Sequence, residues 1–129
     1  MAGAASSCDD ESMPRTVLIV DDHPSFRATA RTLLEAEGFS VVDEAADGAE
    51  ALAKTKELRP DLVLLDVQLP DIDGFEVARR LCENGSSPAI VLVSSRDAAD
   101  YGELVDACGA RGFVPKGELT GAALRALLG

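Results

Sequence analysis

The stretch DLVLLDVQLPDIDGFEV, residues 61–77, joins an apolar strand pattern to a helical pattern through an acidic turn. Residues 62–65 are apolar throughout, which is typical of a strand buried on both faces of a parallel sheet. A helical pattern then runs from about Phe75 to Cys82. Asp66 lies between the two patterns, so we expect a carboxylate at the end of a buried strand.

Comparable apolar runs recur along the chain and alternate with helical patterns. We predict strands at residues 16–20, 40–44, 61–65, 89–93 and 112–115. The first helix begins near Pro24 and ends at Gly38, and the second begins with the capping-box pair Asp47 and Glu50 and stops before Pro60. The fourth and fifth helices are predicted from apolar faces that carry Tyr101, Leu104, Val105 and Cys108, and then Leu124, Leu127 and Leu128. This alternation predicts an α/β fold of (βα)₅ type, with helices on both faces of a parallel sheet.

Length and composition indicate one folded domain in a chain of 129 residues, of which 47% are apolar and 27% charged. Residues 1–14 lack periodicity and are predicted to be a disordered tail, which leaves 15–129 as the domain. The longest apolar runs span four or five residues, so we expect neither a membrane span nor a secretory leader. The net charge of −11, without a Lys/Arg cluster, argues against direct nucleic-acid binding.

Three cysteines, Cys8, Cys82 and Cys108, are an odd number without the paired spacing of a zinc site. Reduced thiols are typical of cytoplasmic proteins, and we expect a cytoplasmic location. Cys82 and Cys108 fall on apolar helical faces and are interpreted as small core residues.

Polar side chains follow four of the predicted strands. They are Asp21 and Asp22 after the first, Asp66 after the third, Ser94 and Ser95 after the fourth, and Lys116 after the fifth. Right-handed crossovers bring the carboxyl ends of parallel strands to one edge of the sheet, where open α/β folds bind ligands. Two carboxylates about 4 Å apart repel by about 4 kcal/mol at an effective dielectric constant near 20. A cation is needed to offset this repulsion, and Mg²⁺ suits such hard oxygen ligands, with Mn²⁺ as a possible substitute.

A carboxylate near a cation and an amine can act as a nucleophile toward phosphorus and form an acyl phosphate. The cation and Lys116 would neutralise the charge on the oxygens of the transferring phosphoryl group. Ser94 directly follows the fourth apolar run and is preferred to Ser95 as the hydroxyl that bonds the new phosphate.

The segments VLIVDDHPSFR (17–27), DLVLLDVQLPDIDGFEV (61–77), IVLVSS (90–95) and GARGFVPK (109–116) together resemble the receiver domain of two-component response regulators. The resemblance covers about residues 15–128 and is greatest to the NarL/FixJ type. It implies a flavodoxin-like sheet in the order 2-1-3-4-5.

The resemblance also implies a role for each matching residue. Asp66 matches the phosphoacceptor, Asp22 a direct metal ligand, Asp21 a ligand acting largely through water, and Gln68 the position whose backbone carbonyl completes the metal site. Ser94 matches the switch hydroxyl, Phe113 the switch aromatic and Lys116 the phosphate-binding lysine. Gln68 and Arg96 occupy positions that in relatives tune the lifetime of the phosphoryl group, and a solvated role for Arg96 fits equally well. The implied function is a signalling phosphoacceptor, whose only catalysis is self-directed phosphotransfer and autodephosphorylation.

The expected donor is a histidine kinase or a histidine phosphotransfer protein. A downstream protein would read the face formed by the fourth helix, the fifth strand and the fifth helix, with the chain a monomer or a phosphorylation-dependent dimer. Only 13 residues follow Lys116, so we expect no helix-turn-helix output domain, and either a stand-alone receiver or an excised fragment fits. Gly117 stands where many relatives have a cis proline, so this loop is expected to differ.

Three alternatives remain at this stage. A phosphatase of the haloacid dehalogenase type also forms a phosphoaspartate, but it needs a second Asp where this chain has Gln68. A degenerate receiver would bind a partner without being phosphorylated. A flavin carrier shares the architecture, but its first turn would carry a phosphate loop instead of Asp-Asp-His-Pro. His23 is interpreted as a helix cap or loop residue rather than a phosphohistidine.

Overall fold

The structure, a computed structural model, describes residues 15–83, 88–94 and 108–128. Five parallel strands form one sheet in the order β2-β1-β3-β4-β5. The strands are β1 (Thr16–Val20), β2 (Ser40–Ala45), β3 (Leu62–Asp66), β4 (Ala89–Ser94) and β5 (Gly112–Pro115). This order confirms the flavodoxin-like topology implied by the resemblance.

Four helices are described, together with one 3₁₀ turn at Lys116–Glu118. The helices are α1 (Pro24–Ala36), α2 (Gly48–Leu58), α3 (Gly74–Cys82) and α4 (Gly121–Leu128). Because α4 is the fifth of the helices predicted from sequence, the fourth predicted helix, with Tyr101, Leu104 and Val105, lies outside the described residues. The predicted tail at 1–14, Ser95 and Arg96 also lie outside them.

The sheet separates two apolar cores, as its strand pattern predicts. The three central strands are buried almost throughout, because helices cover both of their faces. One core contains side chains from α2 and α3, including Ala51, Val77, Ala78 and Leu81, and the other contains Ala30 and Leu34 of α1 and Leu124 of α4. Cys108 is buried in the first core and Cys82 is half-buried beside it, and neither forms a disulfide with another described residue.

The helix ends follow local sequence signals with one difference. Gly38 closes α1 in the left-handed conformation, with φ of 95°. Asp47 caps α2 by accepting a hydrogen bond of 2.8 Å from Glu50 N. The reciprocal bond of the predicted capping box is shifted by one residue, since Glu50 Oε1 accepts from Ala46 N at 2.8 Å and not from Asp47. The entry to α2 is therefore fixed from both directions.

None of the helices in the described ranges is both long and apolar enough to cross a membrane. The same ranges contain no cis peptide bond, so Lys116 and Gly117 are joined in the trans form.

Candidate phosphoryl-transfer site

Three aspartates meet at the carboxyl-terminal edge of the sheet. Asp21 and Asp22 follow β1 directly, and Asp66 is the last residue of β3, one residue further into the strand than predicted. Asp21 and Asp66 are buried, with exposed fractions of 0% and 2%, while Asp22 is exposed. Potential ligand atoms of these aspartates and of His23 all lie within 4.8 Å of one another. The predicted cluster of carboxylates is therefore formed.

The ammonium group of Lys116 lies against the two buried aspartates. Its Nζ atom is 2.6 Å from Asp21 Oδ2 and 3.5 Å from Asp66 Oδ2. Asp21 Oδ2 is buried and accepts no hydrogen bond of good geometry from the described residues. Its contact of 2.6 Å with Lys116 Nζ is therefore an ion pair whose angles are not those of a hydrogen bond. The same ammonium lies 4.6 Å from the centre of the Phe26 ring, a cation–π contact. Phe26 was not recognised from the sequence as a neighbour of the site.

Burial raises the pKa of Asp66 from its ordinary value of 3.8 to about 6, and the negative charge of Asp21 adds to this effect. The Gln68 backbone N–H, which donates to Asp66 Oδ1 at 3.2 Å, and the Lys116 ammonium oppose the rise. Desolvation and the neighbouring acid outweigh these two groups. The site therefore has more negative charge than its own cations neutralise, which favours a bound cation.

Oxygen ligands at this spacing fit Mg²⁺, which accepts one or two carboxylates and retains several waters. The spacing of the carboxylates supports the fit, because ligand atoms of Asp21, Asp22 and Asp66 lie within 4.8 Å of one another. The residues that would hold the ion are Asp21, Asp22 and Asp66.

His23 lies at the start of α1, in the N-cap position, as predicted, but its side chain does not cap the helix. Instead, its Nδ1 atom lies 3.0 Å from Asp21 Oδ1 and 3.1 Å from Asp22 Oδ1. The side chain thus belongs to the carboxylate cluster.

The remaining predicted site residues lie in the strands and loops around Asp66. Ser94 is buried as the last residue of β4, in register with Pro115, and β4 is therefore one residue longer than predicted. Phe113 in β5 is half-buried and packs against the core that contains α2 and α3. The Gln68 side chain is exposed.

Arg27, which the sequence analysis did not single out, supports the acid pair from α1. Its guanidinium donates to the carbonyl oxygen of Asp21 at 2.6 Å and to Glu44 Oε1 at 3.0 Å. Arg31 donates to the other Glu44 oxygen at 2.8 Å. This network ties the backbone after β1 to both α1 and β2.

The loop between β3 and α3 is fastened to the start of α2. Asp71 accepts hydrogen bonds from Gly48 N at 2.8 Å and Ala49 N at 2.9 Å, and these bonds lower the pKa of its carboxyl group. The Ile72 side chain packs so closely on Gly48 that a Cβ atom there would lie 2.5 Å from Ile72 Cγ1. The loop that follows Asp66 is therefore held against the first turn of α2.

Gly74 brings the start of α3 against the backbone of Asp66. Its N–H donates to Val67 O at 2.7 Å. A Cβ atom at this position would overlap the carbonyl oxygen of Asp66 and lie 2.9 Å from Val67 Cα. The backbone position of Asp66 therefore requires a residue without a side chain at position 74.

We expect Gly74→Ala to lower the free energy of unfolding by about 1–3 kcal/mol, the usual cost of overpacking a closely packed site. Urea denaturation measures this effect. Gly117→Ala is the matched control, because a Cβ at Gly117 meets nothing within 4 Å. Equal stability of the two variants would show that the backbone at Asp66 shifts to accommodate the added Cβ atom without a loss of unfolding free energy.

The chain is similar to known proteins of one family. Residues 17–127 match the family model of the response regulator receiver domain. The chain is 35% identical over 101 residues to the DNA-binding transcriptional activator EvgA of Escherichia coli, which covers 78% of this chain and 50% of that protein. It is 45% identical over 106 residues to a gliding motility regulatory protein of Myxococcus xanthus, covering 80% of this chain and 13% of that protein. The chain spans about half the length of the first curated relatives it matches.

Solved structures show the same fold. The receiver domain of the response regulator NarL from Mycobacterium tuberculosis superposes with a TM-score of 0.79 and 34% identity, covering 90% of this chain and 98% of that one. CheY of Borrelia burgdorferi, in a complex with CheX, BeF₃ and magnesium, gives a TM-score of 0.82 and 29% identity, covering 93% and 90% of the two chains. The chain therefore belongs to the response regulator receiver domain family.

Proposed function

We propose that this receiver domain accepts a phosphoryl group on Asp66 in a Mg²⁺-dependent reaction. The observation that carries the proposal is the position of Asp66, buried beside Asp21 and within 3.5 Å of the Lys116 ammonium. A nucleophilic carboxylate next to a cation site and a fixed amine is the arrangement that aspartyl phosphate formation requires.

In the transfer, a carboxylate oxygen of Asp66 forms a bond to phosphorus, and the bond from phosphorus to the donor nitrogen or oxygen breaks. The bonding pair leaves with the donor, which takes up a proton if it is a histidine nitrogen. The positive charge of Lys116 stabilises the negative charge on the phosphoryl oxygens. Asp21, Asp22 and Asp66 would hold Mg²⁺, which would neutralise further charge on those oxygens.

The other site residues support this role from their places around Asp66. We assign Asp22 as a direct cation ligand, Asp21 as a ligand acting largely through water, and the Gln68 carbonyl as the third protein oxygen. Ser94 supplies the hydroxyl that bonds the phosphate, and Phe113 turns further inward when it does. Burial of Ser94 at the end of β4 and the half-buried state of Phe113 support these two assignments.

The donor is a histidine kinase or a histidine phosphotransfer protein in the cytoplasm. A downstream protein binds the face that the sequence predicts from the fourth helix, β5 and α4. Phosphorylation shifts the receiver domain from one of its two conformations toward the other. A monomer and a phosphorylation-dependent dimer are both compatible with this role. Any output beyond the receiver domain belongs to a partner or to a longer protein.

The test is treatment of the purified chain with acetyl phosphate, followed by intact-mass measurement and peptide mapping. With Mg²⁺ present, we expect one added phosphoryl group, located on the peptide that contains Asp66. With EDTA in place of Mg²⁺, the added mass should be absent. A phosphoryl group found elsewhere, or equal labelling in EDTA, would contradict the proposal.

The same preparation separates a receiver from a phosphatase of the haloacid dehalogenase type. Gln68 stands where such an enzyme needs an aspartate. We expect no continuous hydrolysis of p-nitrophenyl phosphate. Sustained turnover of this ester would favour the enzyme.

A further inference from the structure

The chain contains one histidine, His23, and the structure places it in the acidic cluster. Its backbone N–H donates to Asp21 Oδ1 at 2.7 Å, which fixes the main chain beside that oxygen. Its Nδ1 atom lies 3.0 Å from the same oxygen and 3.1 Å from Asp22 Oδ1. The position of the ring is therefore set by the two carboxylates and not by the helix that His23 begins.

These separations match those between ligands that share one ion. Bonds of about 2.0–2.2 Å place neighbouring ligand atoms about 3 Å apart around a first-row metal ion. All four ligand atoms of the cluster lie within 4.8 Å of one another. Lys116 contacts the other oxygen of Asp21, Oδ2, so Oδ1 is the oxygen shared with His23. An ion at this position meets a nitrogen as well as oxygens.

The chemistry of this donor set differs from that of carboxylates alone. Mg²⁺ prefers oxygen ligands and water, whereas imidazole nitrogen suits ions such as Ni²⁺ and Zn²⁺. Nδ1 binds an ion through its lone pair in the tautomer of the neutral ring that carries its proton on Nε2.

We propose that His23 is a specificity-determining ligand, which binds transition-metal ions through Nδ1 and takes no part in binding Mg²⁺. The inference rests on the cation site of the proposed function. The site then holds Mg²⁺ through oxygens alone and holds Mn²⁺, Ni²⁺ or Zn²⁺ through the same oxygens and one imidazole nitrogen.

The first test compares Ni²⁺ and Mg²⁺ affinities of the wild type and His23→Gln by isothermal titration calorimetry, on protein without a histidine tag. We expect the substitution to weaken Ni²⁺ binding by about tenfold or more, which corresponds to about 1.4 kcal/mol, and to leave Mg²⁺ affinity within about twofold. The matched control combines His23→Gln with Glu57→His, which keeps one histidine but moves it to an exposed position on α2. This control should bind Ni²⁺ at the site no better than His23→Gln.

The second test detects coordination directly. Electron spin echo envelope modulation of bound Mn²⁺ should show a coupled nitrogen in the wild type, which changes when the protein is labelled with ¹⁵N-histidine and disappears in His23→Gln. Because the chain has one histidine, this signal has one possible source.

The outcomes distinguish this inference from the proposed function. Equal weakening of Mg²⁺ and Ni²⁺ by His23→Gln, or Mn²⁺ bound by the wild type without nitrogen coupling, would overturn the ligand role of His23 and leave the phosphoacceptor proposal standing. A wild type that binds none of these ions would remove the cation site and with it both proposals.

Discussion

Replacing Asp66 with asparagine is expected to abolish phosphorylation of the chain by acetyl phosphate in Mg²⁺. The neutral amide lacks the nucleophilic oxygen that attacks phosphorus, and it removes one of the charges that hold the cation. Loss of the added phosphoryl mass in intact-mass spectra measures the effect.

The matched control for this experiment is Glu57→Gln, which removes one negative charge at an exposed position of α2. It should be phosphorylated like the wild type. An Asp66→Asn protein that still gains a phosphoryl group, for example on Asp22 or His23, would show that the acceptor has been assigned to the wrong residue.

The second large effect is on stability, and it follows from the raised pKa of Asp66. In the unfolded chain this carboxyl group ionises near 3.8, but in the folded protein it ionises near 6. Between these two pH values the folded state binds more protons, so this group lowers the stability of the fold as pH rises from about 4 to about 6. A difference of about two pH units corresponds to about 3 kcal/mol of unfolding free energy.

Asp66→Asn isolates this contribution, because other carboxyl groups such as Glu44 have lowered pKa values and act in the opposite direction. In EDTA, we expect the variant to exceed the wild type in stability by about 3 kcal/mol at pH 8 and to match it near pH 3.5. Urea denaturation at both pH values measures the difference.

Magnesium should reduce the stability difference between the two proteins at pH 8. A ligand at one hundred times its dissociation constant stabilises the folded state by about 2.7 kcal/mol. The wild type should gain this amount, and the variant, with a weakened site, should gain less. A wild type whose stability in EDTA exceeds that of Asp66→Asn at pH 8 would show that the charge of Asp66 is already neutralised by Lys116.

The sheet and the site edge were predictable because both depend on local patterns. Apolar runs without alternation mark β1, β3 and β4 as strands covered on both faces, and parallel strands bring their carboxyl ends together. The strand ends were misplaced by one residue at Asp66 and Ser94. Here the ladder continues past the apolar run, as the bond of 2.9 Å from Val67 N to Val93 O shows. A polar side chain at a buried strand end is therefore a poor marker of where pairing stops.

The contacts that the sequence analysis missed join residues far apart in the chain. Phe26 and Lys116 meet through the return of β5 to the site, and Asp71 bonds to α2 across more than twenty residues. The geometry of these contacts depends on how the loops fold back onto the sheet, and the local periodicity of apolar residues does not predict it. The contact between His23 and Asp21 joins residues that are close in the chain. It was missed because it depends on the rotation of the His23 side chain, which turns to Asp21 and does not cap the helix.

The β3–α3 loop is attached to the start of α2 through Asp71 and Ile72, so this side of the site is held in place. Motion of this loop would break two hydrogen bonds to the first turn of α2 and would separate Gly74 from the acceptor's carbonyl group. A phosphoryl group on Asp66 would therefore lie beside a loop that is held by these contacts. We expect the displacement to be absorbed across the sheet, where β4 and β5 end.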